Sequence, residues 1–140
     1  MKNLLTVLCL LLLHACNEKE RTIRTEEADF LKSFYTEYIN SCSDGVALDS
    51  DSELENIVKK YFTEALYKKL EPLEFDYNPV LKAQDCDSAV LRTLTVTPSE
   101  KDNTYTVCYN DSYSNELICI NLQVISSEGK LMISDIEIEQ

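Results

Sequence analysis

Residues 104–122 read TYTVCYNDSYSNELICINL, and this stretch decides the fold. Apolar and polar side chains alternate on both sides of a short polar segment, which is typical of a β-hairpin. A turn centred between Tyr113 and Ser114 sets Cys108 opposite Cys119. The same register pairs the apolar residues of the other face: Tyr105 with Leu122, Val107 with Ile120, and Tyr109 with Ile118.

This register predicts a disulfide bond between Cys108 and Cys119, because facing residues of an antiparallel pair lie within disulfide range. Of the six cysteines, two lie in the N-terminal segment described below, so elimination pairs Cys42 with Cys86. An even number of cysteines in an exported chain favours structural disulfides. A metal site and a redox pair are the alternatives, but the chain has no C-x-x-C spacing.

Helices precede this hairpin. Apolar residues recur at helical spacing from Glu26 to Cys42, which predicts an amphipathic helix. Ser50 or Ser52 can cap a second helix, and Thr63 a third that runs from 64 to 71. Period-two patterns then predict four strands, near 89–97, 103–111, 116–125 and 130–138. We therefore expect an α+β domain in which three N-terminal helices pack on a curved, four-stranded antiparallel meander.

The N-terminus carries the features of an export signal. Lys2 precedes an apolar run that is too short to span a membrane, and the run ends in Leu13-His14-Ala15-Cys16. That order resembles a bacterial lipobox, which predicts a lipoprotein signal peptide over 1–15 and lipidation, including palmitate, of Cys16. We therefore expect a lipidated N-terminus and tether over 16–25, and then a single domain over 26–140. A plain secretory signal cut at an A-x-A site is the alternative.

Composition excludes several functions. The chain has 13 Lys+Arg against 25 Asp+Glu, a formal charge of −12, so nucleic acid is not an expected partner. The single histidine, His14, leaves with the signal, which removes histidine-based catalysis and zinc binding. Two glycines cannot form a glycine-rich phosphate-binding loop, so a nucleotide is not expected. Without histidine or C-x-x-C spacing in the mature chain, no metal is expected, and the sequence points to no cofactor. The acidity is a solubility feature or an attraction for a basic partner protein.

Four segments carry a family resemblance: Tyr61-Phe62-Thr63 to Leu70, Asp76-Tyr77-Asn78-Pro79, Ala83-Gln84-Asp85, and 129–136. Through these segments the chain resembles an uncharacterised family of small lipoproteins from Gram-negative bacteria, which is known only as a domain of unknown function. The resemblance extends from about Ala28 to Ile138. The resemblance implies a nuclear-transport-factor-2-like, or cystatin-like, fold with a conical pocket between helices and sheet. Leu131 departs from the family pattern, since an aromatic residue is usual there.

Pocket enzymes of this superfold use a carboxylate and a tyrosine, so the matching residue types are the candidate site. Asp85, after Gln84, is the candidate base, although both residues could instead fix a turn by bonding to local backbone. Five tyrosines on predicted inward faces are candidate ligand-binding residues, or simply core: Tyr35, Tyr38, Tyr61, Tyr105 and Tyr109.

These observations favour a non-enzymatic binding or interaction module, anchored by lipid in the cell envelope, in the outer membrane rather than the inner. Its ligand would be a small molecule in the cone or a protein on the sheet. One alternative is an inhibitor or immunity protein against a basic wall-degrading enzyme. Another is an isomerase-like or hydratase-like enzyme that uses Asp85 and a pocket tyrosine.

Overall fold

The computed structural model describes residues 24–43, 50–72, 78–83 and 85–138. Within them, helix α1 covers 24–43, so residues 24 and 25 are helical. The predicted signal peptide, Cys16 and Gln84 lie outside the described residues.

Two further helices follow as the sequence predicts. Helix α2 (Ser50–Tyr61) turns its apolar residues toward α1, and Tyr61 packs its ring 5.3 Å from that of Phe30. Helix α3 (Glu64–Leu70) begins at Thr63, whose hydroxyl accepts a hydrogen bond from the Leu66 amide at 3.2 Å. That bond satisfies one of the amides that a helix start leaves without a partner.

The sheet has four antiparallel strands in the order β1-β2-β3-β4. Their bounds are Thr95–Pro98, Thr104–Asn110, Leu117–Ser127 and Lys130–Ile136. The predicted register of the central hairpin is confirmed: Cys108 faces Cys119, and Tyr105 faces Leu122. The prediction of an α+β domain with three helices and a four-stranded antiparallel sheet is therefore confirmed for the described residues.

The prediction of a strand over 89–97 is wrong for the N-terminal half of that range. Residues Ser88–Arg92 form a 3₁₀ helix, and strand β1 begins only at Thr95. The carboxylate of Asp87 accepts a hydrogen bond from the Ala89 amide at 2.8 Å, which caps this short helix. Such a local side-chain bond competes with strand pairing, and here it prevails over the β propensity of Val90.

Strand β4 is covered along its outer edge. Phe62 forms a parallel bridge with Ile133, and the Thr63 amide donates to the Ile133 carbonyl at 2.9 Å. Gln123 pairs with Asp135 and Val124 pairs with Ile133, so Ser134 is the extra residue of a β-bulge in β4, which bends that strand. Helices therefore pack against one face of the sheet, and the other face is open to solvent.

The core lies between helices and sheet. Its large, fully buried side chains come from both layers: Leu31, Phe34, Tyr35, Ile39, Leu66, Leu81, Tyr105, Tyr109, Ile120, Leu122, Ile133 and Ile136. Two cysteine pairs lie at disulfide distance and support the predicted disulfide bonds. The Cα atoms of Cys42 and Cys86 are 5.8 Å apart, and those of Cys108 and Cys119 are 4.2 Å apart. The first pair ties the end of α1 to the segment that leads into the sheet.

Candidate functional site

The five candidate tyrosines are all buried in the core. Their exposed fractions are 0% for Tyr35, 7% for Tyr38, 5% for Tyr61, 2% for Tyr105 and 1% for Tyr109. The ring of Phe34 fills the space among helices, with centroids 5.2–5.6 Å from four neighbouring aromatic rings. The region that the resemblance implies to be a pocket is thus occupied by aromatic side chains.

The tyrosine hydroxyls find partners inside the protein. Tyr35 donates to the Val80 carbonyl at 3.1 Å, and Tyr109 donates to the Leu81 carbonyl. These two bonds hold the 78–83 segment across the end of the sheet. A tyrosine hydroxyl that donates its proton within the protein cannot at the same time donate it to a ligand.

The other three hydroxyls are bonded to side chains. Each partner lies on α1 or in the 78–83 segment: Tyr61 donates to Glu37 at 2.7 Å, Tyr38 accepts from the Asn78 amide at 2.8 Å, and Tyr105 donates to Glu27. Glu27, 7% exposed, is the one charged side chain that is buried among the described residues. Its bond to Tyr105 satisfies a carboxylate that would otherwise be costly to bury.

Burial also makes these phenols very weak acids. Burial raises the pKa of Tyr35 and Tyr105 far above the ordinary value, and it raises the pKa of Tyr109 to about 12. The hydrogen bond to Glu27 adds to the shift at Tyr105, because a nearby carboxylate opposes a second negative charge. These groups stay protonated at any physiological pH and therefore act as hydrogen-bond donors.

Asp85 lies apart from the core tyrosines. Its side chain is exposed and lines a surface depression of about 210 Å³, together with Lys82, Asp111, Tyr113 and Ile118. The structure therefore does not bring the candidate base and a core tyrosine into one cavity. It brings Asp85 instead to the turn between β2 and β3.

We call residues 111–116, together with Leu117, the hairpin tip. The Asp111 carboxylate accepts two hydrogen bonds from Ser114, one from its amide and one from its hydroxyl, each at 2.8 Å. Asn115 has a positive φ of 56°, a conformation that asparagine tolerates well, and its amide donates to the Asp111 carbonyl at 3.0 Å. The turn is held by its own polar groups.

Neighbouring elements brace the hairpin tip from below. The Cys108–Cys119 pair crosses the two strands close to the turn. The Asn110 amide donates to the Thr93 hydroxyl at 3.0 Å, and the Ser112 hydroxyl lies near the Asp87 carboxylate, whose pKa it lowers. The tip therefore rests on the 3₁₀ helix and on the sheet.

Two large apolar side chains point outward from this braced turn. Tyr113 is 78% exposed and Leu117 is 68% exposed, the two exposed large hydrophobic residues of the described chain. The sequence predicts 111–114 only as a turn and Leu117 only as part of the strand near 116–125, so it does not predict the exposure of either side chain. An aromatic residue at the centre of a polar turn is the signal that could have revealed them.

Acidic groups lie close to Tyr113, and two of them, Asp85 and Asp111, line the same depression as its side chain. Asp85, Asp87, Asp111 and Glu116 lie in or beside the hairpin tip. The bond from Ser112 lowers the pKa of Asp87, and bonds from Ser114 lower the pKa of Asp111. The negative charges of Asp87 and Asp111 therefore persist into more acidic solution.

A second depression, of about 270 Å³, lies where the β1–β2 turn meets β3 and β4. Polar residues line it, among them Ser99, Lys101, Gln123 and Asp135. Beside it the Asn121 amide donates to Glu137 at 2.5 Å, which satisfies polar groups within the protein. Nothing in this arrangement indicates a particular ligand.

Among the described residues, no group of three or more histidine, cysteine, aspartate or glutamate side chains is placed to hold a metal ion. Within the same residues, no helix has both the length and the apolar character needed to cross a bilayer.

Comparison with known proteins shows the fold in a second chain. A solved structure of a protein of unknown function from Bacteroides thetaiotaomicron VPI-5482 is 25% identical, covers 89% of this chain and 98% of that one, and superposes with a TM-score of 0.82. No family model matches the chain, and no curated protein matches it. The similarity is consistent with membership in an uncharacterised group of bacterial proteins. Because the function of the similar protein is unknown, the comparison indicates neither a reaction nor a ligand.

Proposed function

We propose that the chain is a non-enzymatic, lipid-anchored binding module of the bacterial cell envelope, and that it meets its partner through its outer surface. The observation that carries the proposal is the occupied interior: five tyrosines fill the region between helices and sheet, and their hydroxyls are bonded within the protein. An interior of this kind supports a fold rather than a ligand site.

The anchor is proposed from the sequence. Leu13-His14-Ala15-Cys16 ends an apolar run of signal-peptide length, and Cys16 precedes the polar segment that leads to α1. Acyl chains on Cys16 would hold the domain at the membrane without help from its acidic surface. We place it in the outer membrane, with membrane lipid as its first partner.

We also propose that the fold is of the nuclear-transport-factor-2-like, or cystatin-like, kind. Support comes from the element order, three helices before an antiparallel meander, and from the bulge at Ser134 that bends β4. In this chain the cone would be a packed core. Leu131, where the family resemblance expects an aromatic residue, packs against that core.

Metabolic labelling with a palmitate analogue, followed by mass spectrometry of the N-terminal peptide, tests the anchor. We expect label on Cys16 and none on a Cys16→Ser variant, which should leave the membrane fraction. An unmodified N-terminus at any residue other than Cys16 would contradict the proposal.

A second candidate function is inhibition of, or immunity to, a basic wall-degrading enzyme. The acidic hairpin tip favours it, in addition to the net charge of −12. Turnover of peptidoglycan by a basic muramidase, measured with and without the chain, tests it. Slower turnover that recovers at high salt would support inhibition, and an unchanged rate would contradict it.

A further inference from the structure

The hairpin tip combines two properties that are unusual for a turn. Its apolar side chains, Tyr113 and Leu117, are exposed by 78% and 68%. Its backbone is nevertheless fixed by the Asp111–Ser114 bonds and by the cysteine pair below it. Tyrosine is enriched at interface hot spots, and a preorganised turn loses little entropy when a partner covers it.

The charge around these side chains has one dominant sign. Asp85, Asp87, Asp111 and Glu116 contribute four carboxylates, whereas Lys82 and Arg92 are the basic residues of the same neighbourhood. A partner that covers Tyr113 and Leu117 must therefore bring positive charge to this rim, since like charges oppose close approach.

The tip also lies at the end of the sheet away from the start of α1. Arg24 and Glu27 line a recess beside Pro98, Asn103 and Tyr105, next to the β1–β2 turn. Strand β2 then runs for 7 residues from that turn to the tip, a distance of about 20 Å at roughly 3.3 Å per residue. A chain tethered through its N-terminus thus has the tip at the opposite end.

We infer that the hairpin tip is the docking surface for a protein partner with a basic cleft. This inference rests on the proposed function and names the surface that the module uses. Tyr113 and Leu117 enter the cleft, and the carboxylates of Asp85 and Glu116 meet cationic side chains at its edge. Apolar burial supplies the affinity, and the charges supply fast association and selection against acidic proteins.

Binding of the full mature chain to two purified basic wall-degrading enzymes, a lysozyme-type muramidase and an amidase, tests the inference. Affinity is measured by calorimetry at low and at physiological salt. We expect binding to at least one enzyme, weaker at higher salt. Tyr113→Ala should lower the affinity at least tenfold, whereas the circular dichroism spectrum should not change because the side chain is exposed.

A matched pair of double variants separates local docking from overall charge. Asp85→Lys with Glu116→Lys reverses two charges at the tip, and Glu71→Lys with Glu100→Lys reverses two exposed charges elsewhere. Both variants change the net charge equally. We expect the first to lower the affinity at least tenfold and the second to lower it by less than threefold.

Three outcomes would overturn the inference: no binding to either enzyme, equal loss in the two double variants, or normal affinity of Tyr113→Ala. None of them bears on Cys16, whose acylation is read separately by labelling. Failure of the docking surface is therefore distinguishable from failure of the anchored module.

Discussion

Alkaline titration of the tyrosines tests the packed interior. Raising the pH converts tyrosine to phenolate. In the unfolded chain this happens at the ordinary tyrosine pKa of 10.0, whereas in the folded chain burial raises the pKa of Tyr109 to about 12. Stability from such a group is complete below pH 10 and is lost as the pH rises from 10 through 12. At about 1.4 kcal/mol for each pH unit, Tyr109 alone lowers the free energy of unfolding by about 2 kcal/mol at pH 12.

Tyr35 and Tyr105, whose pKa values burial raises still further, add to this loss. Because a domain is stable by only about 5–15 kcal/mol, we expect cooperative unfolding between pH 11 and 12. Phenolate absorbance and circular dichroism, recorded together, check this. The buried tyrosines should ionise in the same step in which the fold is lost. Gradual ionisation of the five buried tyrosines near pH 10, while the protein stays folded, would show that water enters the interior and would contradict the packed core.

The remaining predictions concern the disulfides and one helix cap. Replacing Cys42 and Cys86 by serine should lower the free energy of unfolding by about 4 kcal/mol, and replacing Cys108 and Cys119 should lower it by about 3 kcal/mol, because the two bridges close sequence separations of 44 and 11. Urea unfolding measures both losses. A larger loss for the second pair would contradict the loop-entropy explanation. Thr63→Ala should destabilise the domain by about 1 kcal/mol, because α3 loses its N-terminal cap. Thr63→Ser keeps the hydroxyl and should be nearly as stable as the wild type. Equal stability of the two variants in urea unfolding would contradict the role of the cap.

The elements that follow from local patterns could be predicted from the sequence. The register of the central hairpin follows from alternation around one short turn, because a slip by one residue would move every apolar side chain to the open face. The α3 start at Thr63 follows from a single cap. The segment 88–92 could not be predicted, because its outcome depends on whether the Asp87 carboxylate caps a turn or leaves Val90 free to pair.

The state of the interior could not be predicted, because tyrosine suits both a pocket and a core. The hydrogen-bond partners of the hydroxyls distinguish a core from a pocket, and these partners lie far from the tyrosines in sequence. Tyr35 bonds to the Val80 carbonyl, and Tyr105 bonds to Glu27. The hairpin tip was missed for a related reason. Sequence locates a turn, but only the surrounding elements show that Tyr113 is left exposed.

Site-specific photo-cross-linking of the anchored chain in cells tests the central claim most directly. A photoreactive side chain replaces Tyr113 in one variant and Glu100, exposed in the β1–β2 turn, in another. We expect a cross-linked complex from position 113 and none from position 100, with a partner protein whose contacting surface is basic. No product from position 113, or equal products from both positions, would contradict it.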